Sequence, residues 1–565
     1  MSLKFRVFLV AILGLTLSAS PLQIIAPIRT TTQDHRGPPP FITVANSTSL
    51  IAPPPSILTT IDGIREPSGA HDLAPDPQVA TGPTSIVEMA NTNVEVFSKQ
   101  GVSLKNSTFT SFFNVSLSKD PGDPRVLYDA LSARWFATLN VLILAVSTSI
   151  DPTASWRLYN FTLPCAGDQP SLGVNDDKVV TSSNLSSQAY SRVCIFDKSE
   201  LVTGALTIDF TALNLPYPSV HPVQSLSFTG TEYMVSTGLS PTNVTRLYSI
   251  SPSILGHYRI QETNLTTAPI TQPSNSPFDA FDSRVQDATW FKGNLWYALN
   301  DGCRPPSATL TLACIRLTEI NTNNTRVVQD FDYGVNNQNL YYPALRIDEY
   351  GNLNVIFGFS SAIAITGQNA NDPVNTLRQP VIIKTGKSPG LLGRWGDYFG
   401  AGVDPTDPRV VWVAGEYIPN GEPNLCINED SQLNVPCWAT FVASISVQSF
   451  SMSISPASLN MTAPAPGGMR TASATLTLTS LAFSGQITLS NNPNYETAIS
   501  GPLLAYSQTS FNMALGQTVN VVVSVSICSS TPSRTFTIIG TSAVFTGNVT
   551  FTVNVTGQRS GSCPS

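Results

Sequence analysis

A loose repeat governs what this chain can fold into. In each unit a polar head residue, often beside a Pro, opens a short β-branched run, and a tight turn leads into a second alternating run. The units read DPQVATGPTSIVEMAN from Asp76, DPRVLYDALSARWFATLNV from Asp123, DQPSLGVNDDKVVTSSN from Asp168, HPVQSLSFTGTEYMVSTG from His221, DSRVQDATWFKGNLWYALN from Asp282, YPALRIDEYGNLNVIFGFS from Tyr342, and GDYFGAGVDPTDPRVVWVAGEY around Asp397. Successive heads lie roughly 45–60 residues apart, which suits one four-stranded blade per unit with outer loops of variable length. The second unit shows the logic: RVLYD, the turn ALSA, RWFATLNV, LILAVSTS, a turn at Asp151-Pro152-Thr153, then WRLYNFT. These are four strands joined by hairpin turns. A lone blade cannot bury both faces, whereas a ring of blades does so and leaves only short edges. The spacing therefore predicts an all-β chain built on a seven-bladed β-propeller over residues 72–446, with six or eight blades as the alternatives. Pro, Gly, Asn and β-branched residues interrupt every window that might hold a three-turn helix.

The flanks differ in texture. Lys4 and Arg6 precede an apolar run over residues 7–17, followed by Ser18, Ala19 and Ser20, which predicts a secretory signal peptide over 1–20. Pro21 sits awkwardly for cleavage, so an uncleaved anchor is the alternative. No later stretch approaches the roughly 20 apolar residues of a membrane span. Residues 21–71, with PIRTTTQDHRGPPP and IAPPPS, predict a Pro/Thr-rich linker. Beyond 447, the segments SFSMSIS, ATLTLTS, GQITLS, FNMAL, QTVNVVVSVSI, TFTIIGTS and NVTFTVNVT predict an Ig-like β-sandwich over 447–565. It lacks the Cys, Trp, Cys core of antibody domains, and a spacer or adhesion role is its default.

Only 12% of residues are charged and the net charge is −7, so the phosphate contacts of a nucleic-acid partner are lacking. The eight cysteines fall into sequence-near couples: Cys165 with Cys194, Cys303 with Cys314, Cys426 with Cys437, Cys528 with Cys563. Disulfides of an exported protein are the expectation. With no CxxC pair and only His35, His71, His221 and His257 as imidazole donors, a zinc or haem site is not expected. Asn-x-Ser/Thr sequons from Asn46 to Asn554 offer glycosylation sites.

The string Ser149-Ile-Asp151-Pro-Thr-Ala-Ser-Trp156 resembles the Asp-box turn SxDxGxTW of sialidase-like propellers, with Thr153 in place of Gly. More widely, DPRVLYDALSARWFATL, DQPSLGVNDDKVV and GRWGDYFGAGVDPTDPRVVWVAGEY resemble exported bacterial and archaeal proteins that pair such a propeller with Ig-like domains. Most of those carry no assigned activity. The resemblance covers residues 72–445 and implies an architecture, with the Asp-box as a structural outer hairpin, and no mechanism.

In a propeller the innermost strands line a channel, and ligands bind where their loops open on one face. The heads Asp76, Asp123, Asp168, His221, Asp282, Tyr342 and Asp397 are expected to converge there, with Arg125, Arg284, Arg346 and Arg394 as ligand-binding candidates. A glycoside hydrolase needs two carboxyls, which Asp76, Asp123, Asp168 and Asp397 could furnish; against this, Asp-Pro is a common turn dipeptide that recurs at Asp151, Asp372, Asp404 and Asp407. A sialidase-like site would use the arginines as a carboxylate clamp and Tyr341, Tyr342 or Tyr398 as nucleophile, yet only Glu349 and Glu416 could serve as its companion Glu. Trp395, Asp397 and Tyr398 form a sugar-stacking candidate whose alternative is a Trp packed in the final blade. Calcium is the one cofactor suited to loops such as NDD at Asn175 and DPTDP at Asp404, while Asp348-Glu-Tyr-Gly-Asn reads as a hairpin turn. The expected function is a non-enzymatic secreted or cell-surface protein binding an extracellular glycan or protein through the loop face of the propeller. The alternatives are a glycan-active hydrolase or lyase, and a structural component of a surface layer or filament.

Overall fold

The computed structural model describes residues 54–563 apart from 67–70, 73, 92, 117–120, 186–189, 239, 253–257, 274–282, 371, 388–394, 408, 421–424, 429–433, 448–449, 481–484, 515–516, 543–545 and 561–562, together with the backbone of Ser2–Phe8, Ile28–Thr31 and Ile42–Thr43. Two compact units divide the chain: residues 1–47 with 57–445, and residues 48–56 with 446–565. Only three short helices, Phe109–Phe112, Thr162–Cys165 and Lys198–Thr203, interrupt the strands among the described residues.

In the first unit the sequence repeats contribute to antiparallel four-stranded arrays. Gln78–Thr81, Ser85–Ala90, Asn93–Ser98 and Ser103–Thr108 make the first, and Arg125–Asp129, Arg134–Thr138, Ile143–Ser147 and Trp156–Asn160 the second. The pattern repeats from Asp168–Val174 to Thr207–Leu215, from His221–Pro222 to Tyr258–Ile270, from Val285–Phe291 to Arg326–Gly334, and from Leu340–Ile347 to Val381–Thr385. Near the centre, Gln224–Ser225 pairs in parallel with Val174 on one side and with Thr289 and Trp290 on the other.

Neighbouring residues in a strand point to opposite faces, so a blade buried on both sides must be apolar at consecutive positions. Val179 and Val180 show this. Val179 joins a core with Leu127, Phe136 and Phe210, whereas Val180 joins one with Val220, Met234 and Tyr248. Further cores link each array to the next, and one holding Ile61, Val79, Ile86, Trp412 and Val442 joins the last array to the first. There Gly400 is required, because a Cβ would stand 2.6 Å from Val79 N. Blades packed face to face in this way define a β-propeller.

The expected linker over 21–71 needs correction. Ser56–Arg65 is the outer strand of the last array, in the order Gly400–Val403, Val411–Tyr417, Ala439–Ser446, Ser56–Arg65. Ile61 and Ile64, three positions apart and therefore on opposite faces of the strand, are both buried, the first in a core with Val79 and Ile86 and the second in one with Ala90 and Trp438, and that burial outweighs the extended preference of the prolines before it. The backbones of Ser2–Phe8, Ile28–Thr31 and Ile42–Thr43 also pair, with Thr207–Leu215, Tyr258–Ile270 and Arg326–Gly334 respectively.

The hairpin at Ser149–Trp156 is closed by its own polar groups: the Trp156 indole donates to Pro152 O at 2.9 Å, and Asp151 accepts from the Thr153 amide at 2.9 Å and hydroxyl at 2.7 Å. Disulfides join Cys165 to Cys194, Cys303 to Cys314, Cys426 to Cys437 and Cys528 to Cys563, the couples expected from sequence. The second unit has two sheets, one containing Phe450–Ser455, Met469–Ser480, Thr518–Cys528 and Leu503–Tyr506, the other Ser458–Thr462, Thr546–Thr556, Arg534–Thr541, Gly485–Asn492 and Ser510–Met513. One core holding Phe450, Leu476, Ile487, Val523, Phe536 and Phe551 draws on both.

Candidate functional site

Where the inner strands begin, the polar head residues form a latch. Asp76, Asp123, Gln169, Ser219 and Tyr342 all adopt left-handed backbone, with φ between 45° and 53°. Asp tolerates that region, whereas Tyr342 is held there by its surroundings. Each latch bond crosses from one blade to the next. Asp397 N–H donates to Asp76 Oδ1 at 2.6 Å, Asp123 N–H to Asn91 Oδ1 at 3.1 Å, and Gln169 N–H to Asp123 Oδ2 at 3.1 Å. Ser219 N–H donates to Asn184 Oδ1 at 2.7 Å, and Tyr342 N–H to Asn300 Oδ1 at 2.9 Å. Asn91 also donates to Asp76 Oδ2 at 3.1 Å.

Asp76, Asp123 and Asp397 come together, each offering a carboxylate oxygen within 4.8 Å of the others. Hard oxygen donors of this kind suit calcium, but Asp76 is 1% exposed and both its oxygens already accept hydrogen bonds. Asp168 does not join them; it is exposed, opposite Asn184. The expected sugar platform is also absent. Trp395 and Tyr398 are buried, the first packing with Tyr342 and Phe399, the second donating to Pro124 O at 3.2 Å beneath the Arg125 guanidinium, which lies 3.6 Å from its ring centroid. Burial, with Asp123, Asp76 and Asp397 nearby, holds the Tyr398 hydroxyl well above its usual range, against the pull of Arg125. Tyr342 is fully buried in the same core, where a nucleophile would be out of reach. Arg284 is half-buried just ahead of Val285–Phe291; Asp282 and Arg394 lie outside the described residues.

Deeper in the channel, Arg346 completes a crossbar. Its Nη1 contacts Asp287 Oδ2 at 2.6 Å and its Nε donates to Gln224 Oε1 at 3.2 Å, while Gln224 Nε2 donates to Tyr128 O at 2.9 Å. The bar ties together four blades. His221, also buried here, is bonded through Nδ1 to Pro222 O at 2.9 Å. Burial first, then Arg125, pushes its imidazole down to about 4, with Asp287 opposing.

Beyond the crossbar, where the inner strands end, the channel opens into a cavity of about 400 Å³. Hairpins from several blades line it. Tyr128, Asp129, Gln224, Ser225, Phe291, Ile347 and Asp404 form its buried part, and Leu131, Phe228, Lys292 and Glu349 its exposed rim. Phe228 stands out at 78% exposure. Here Asp and Asn side chains cap their own hairpins. Asp129 accepts from Ser132 N at 3.1 Å, Asn175 from Lys178 N at 2.8 Å, Asp348 from Tyr350 N at 2.9 Å, and Asp404 from Thr406 N at 2.9 Å. Asn175 in NDD and Asp404 in DPTDP thus act as turn caps, and Asp404 also pairs with Lys99 at 2.6 Å. Sequence reasoning missed Phe228 and Leu131. Their signal was an apolar residue inside a turn, in SLSFTG and DALSA, where turns are ordinarily polar.

No family model matches this chain, and no curated protein does. Solved structures similar to it include Drosophila Semaphorin 2a, at 7% identity and TM-score 0.32 over 87% of this chain and 100% of that one. YCF48 bound to D1 peptide is similar at 10% identity and TM-score 0.36, over 69% and 97%. A quinonprotein alcohol dehydrogenase-like protein from Bacteroides thetaiotaomicron is similar at 9% and 0.33, over 55% and 66%. These are β-propeller proteins, and a likeness at that level transfers no activity. By its own sheets and cores this chain is a β-propeller protein with four disulfides, in which no described helix is long and apolar enough to cross a membrane.

Proposed function

We propose that this is a secreted or cell-surface protein whose propeller has seven blades and binds an extracellular ligand in the cavity at the channel mouth, followed by an Ig-like sandwich acting as spacer or adhesion module. The observation carrying the binding role is the cavity itself: about 400 Å³, walled by capped hairpins and rimmed by exposed apolar side chains. Its size falls within the range of ligand pockets, roughly 300–1,000 Å³. Seven blades are supported by the strand orders and by the shared core that joins the last array to the first. Export is supported by the four disulfides, which persist in oxidising compartments, and by the basic and apolar N-terminus.

Binding is favoured over hydrolysis because the carboxyls are committed. Asp76 and Asp123 accept backbone amides between blades, and Asp129 and Asp404 at the cavity are paired with Lys198 and Lys99. A hydrolase needs a free pair flanking the scissile bond, and the cavity lining offers only Glu349 beyond those two paired acids.

A screen of the purified protein against polysaccharides and extracellular proteins, reading binding and product release together, tests this. The expected outcome is binding without product, lost in the Leu131→Asp, Phe228→Asp double variant at unchanged melting temperature. Binding that survives this variant, yet is lost in Asp397→Asn, would overturn the assignment.

A further inference from the structure

We propose that the chain carries Asn-linked glycans at exposed Asn-x-Ser/Thr sites on the outer strands of the propeller and on one sheet of the second unit, leaving the cavity at the channel mouth bare. The inference rests on the export reading, because it needs a sugar donor of the export machinery, an oligosaccharide on a polyprenyl phosphate. In the transfer Asn Nδ2 bonds to the anomeric carbon, the C1–O bond breaks with its electron pair leaving on the phosphate, and one Nδ2 proton passes to a base of the transferase. A site must therefore present the carboxamide together with the hydroxyl two residues on.

A strand supplies that pair by its own geometry, since residues i and i+2 stand on one face. In the second unit Met461, Phe551, Val553 and Val555 belong to the core. Asn460 with Thr462, Asn548 with Thr550, and Asn554 with Thr556 are exposed on the opposite face of the same sheet. Asn554 Nδ2 donates to Asn460 Oδ1 at 2.9 Å across two parallel strands. Strands about 4.8 Å apart leave no room for two branched sugars side by side, so this couple carries one glycan between them. The strands of the other sheet contain no such tripeptide.

The propeller sorts its tripeptides by the same test. Asn106 with Thr108 is exposed in Ser103–Thr108, and Asn114 with Ser116 just beyond it. Asn160 is exposed at the end of Trp156–Asn160, the outer strand of the second array, and Asn323 in the hairpin between Leu312–Asn321 and Arg326–Gly334. Thr162 N–H donates to Asn160 Oδ1 at 3.0 Å, a bond that engages the carbonyl oxygen and not the nitrogen that takes the sugar. Asn243 is exposed, but its Thr245 hydroxyl is buried against the Tyr297 hydroxyl at 2.5 Å. Asn184 is 1% exposed; its Oδ1 accepts Ser219 N–H at 2.7 Å and its Nδ2 donates to Ser219 Oγ at 3.1 Å, so a sugar there would break the latch. No Asn lines the cavity. A chain with only 12% charged residues also gains hydration from a coat of bulky, polar sugars.

The test is glycopeptide mapping by mass spectrometry of the full chain from the cells that make it, with export read separately from its place outside the cell. Expected are saccharide mass increments on the peptides holding Asn106, Asn114, Asn160, Asn323 and Asn548, one increment shared between Asn460 and Asn554, and none at Asn184 or Asn243. Asn548→Gln should remove one increment. Bare peptides throughout an exported chain overturn the inference and leave the export reading standing. An increment at Asn184 in folded protein overturns the sorting by exposure. A chain retained inside the cell overturns the export reading; the same chain sent out behind the leader of an N-glycosylating host then decides the acceptors, increments at the exposed set supporting them and bare peptides overturning them.

Discussion

At the end of the channel where the inner strands begin, Asp76, Asn91, Asp123 and Asn184 give their side-chain oxygens to amides of the neighbouring blade. At the end where the strands finish, Asp129, Asp348 and Asp404 accept amides of their own hairpins. The residue types are the same and the bonding differs in reach. Bonds between blades draw the heads together and bury them, whereas bonds within a hairpin stiffen each loop and leave the space between loops open. A cluster of Asp and Arg in a propeller is therefore no guide to a site until its partners are known.

The sharpest way to break this comparison is through the crossbar between the two ends. Arg346→Ala leaves Asp287 buried without its ion partner, and a loss of about 3–5 kcal/mol in unfolding free energy is expected from denaturant titration. A loss below 1 kcal/mol would mean that the bar does not tie the blades.

Next comes the pH dependence of ring closure. Glu88 is fully buried between the first and last arrays, accepts Ile64 N–H at 3.1 Å, and is pushed up to about 7 by burial, against the Thr440 and Ile64 hydrogen bonds. A carboxyl whose folded value lies above its unfolded one stabilises the fold most below the unfolded value, and that contribution is lost as pH rises toward 7. Between pH 4.5 and 7.5 the Glu88 share falls by about 3 kcal/mol, so the Glu88→Gln variant should lose less stability than wild type over this range. His221 acts in the opposite sense: its value is lowered to about 4, so its contribution is lost as pH falls from about 6.5 toward 4. Melting curves of Glu88→Gln and of His221→Gln from pH 4 to 8 separate the two slopes; identical profiles for both variants and wild type would refute the assignment.

A smaller effect is expected from Asp76→Asn, which tolerates the left-handed backbone but turns one acceptor into a donor facing Asn91 or the Asp397 amide. The cost should be about 1–3 kcal/mol, with ligand binding unaffected. Phe228→Ala should move stability by less than about 0.5 kcal/mol, since the side chain is mostly exposed, while weakening binding. If the two variants exchanged these effects, the comparison would be reversed.

Much of the fold was legible because blade strands read as short apolar and β-branched runs bounded by turn residues. RVLYD and WRLYN were readable as strands and appear as Arg125–Asp129 and Trp156–Asn160. The cysteine couples were equally plain. Ser56–Arg65 was hidden because PPPS before it dominated the composition and because its apolar residues, Ile57, Leu58, Ile61 and Ile64, follow no period-two pattern. The site was harder to read. Arg346 was expected at the channel and its partner Asp287 was not singled out; an inner strand also has two ends, and nothing in DPRV or WGDY says which end is latched and which open. That depends on whether an Asp side chain reaches across to the next blade or back to its own turn, a choice made by spacing among blades that are remote in sequence. Phe228 and Leu131 were passed over because a single apolar residue in a turn is common on protein surfaces.

Hydrogen exchange, measured with and without whichever ligand the binding screen identifies, tests the central claim most directly. Slower exchange of amides in the mouth hairpins at residues 226–231 and 403–407, with residues 74–78 and 121–125 unchanged, is the predicted result. Protection confined to 74–78, 121–125 and 395–399, with the mouth hairpins unaffected, would contradict it.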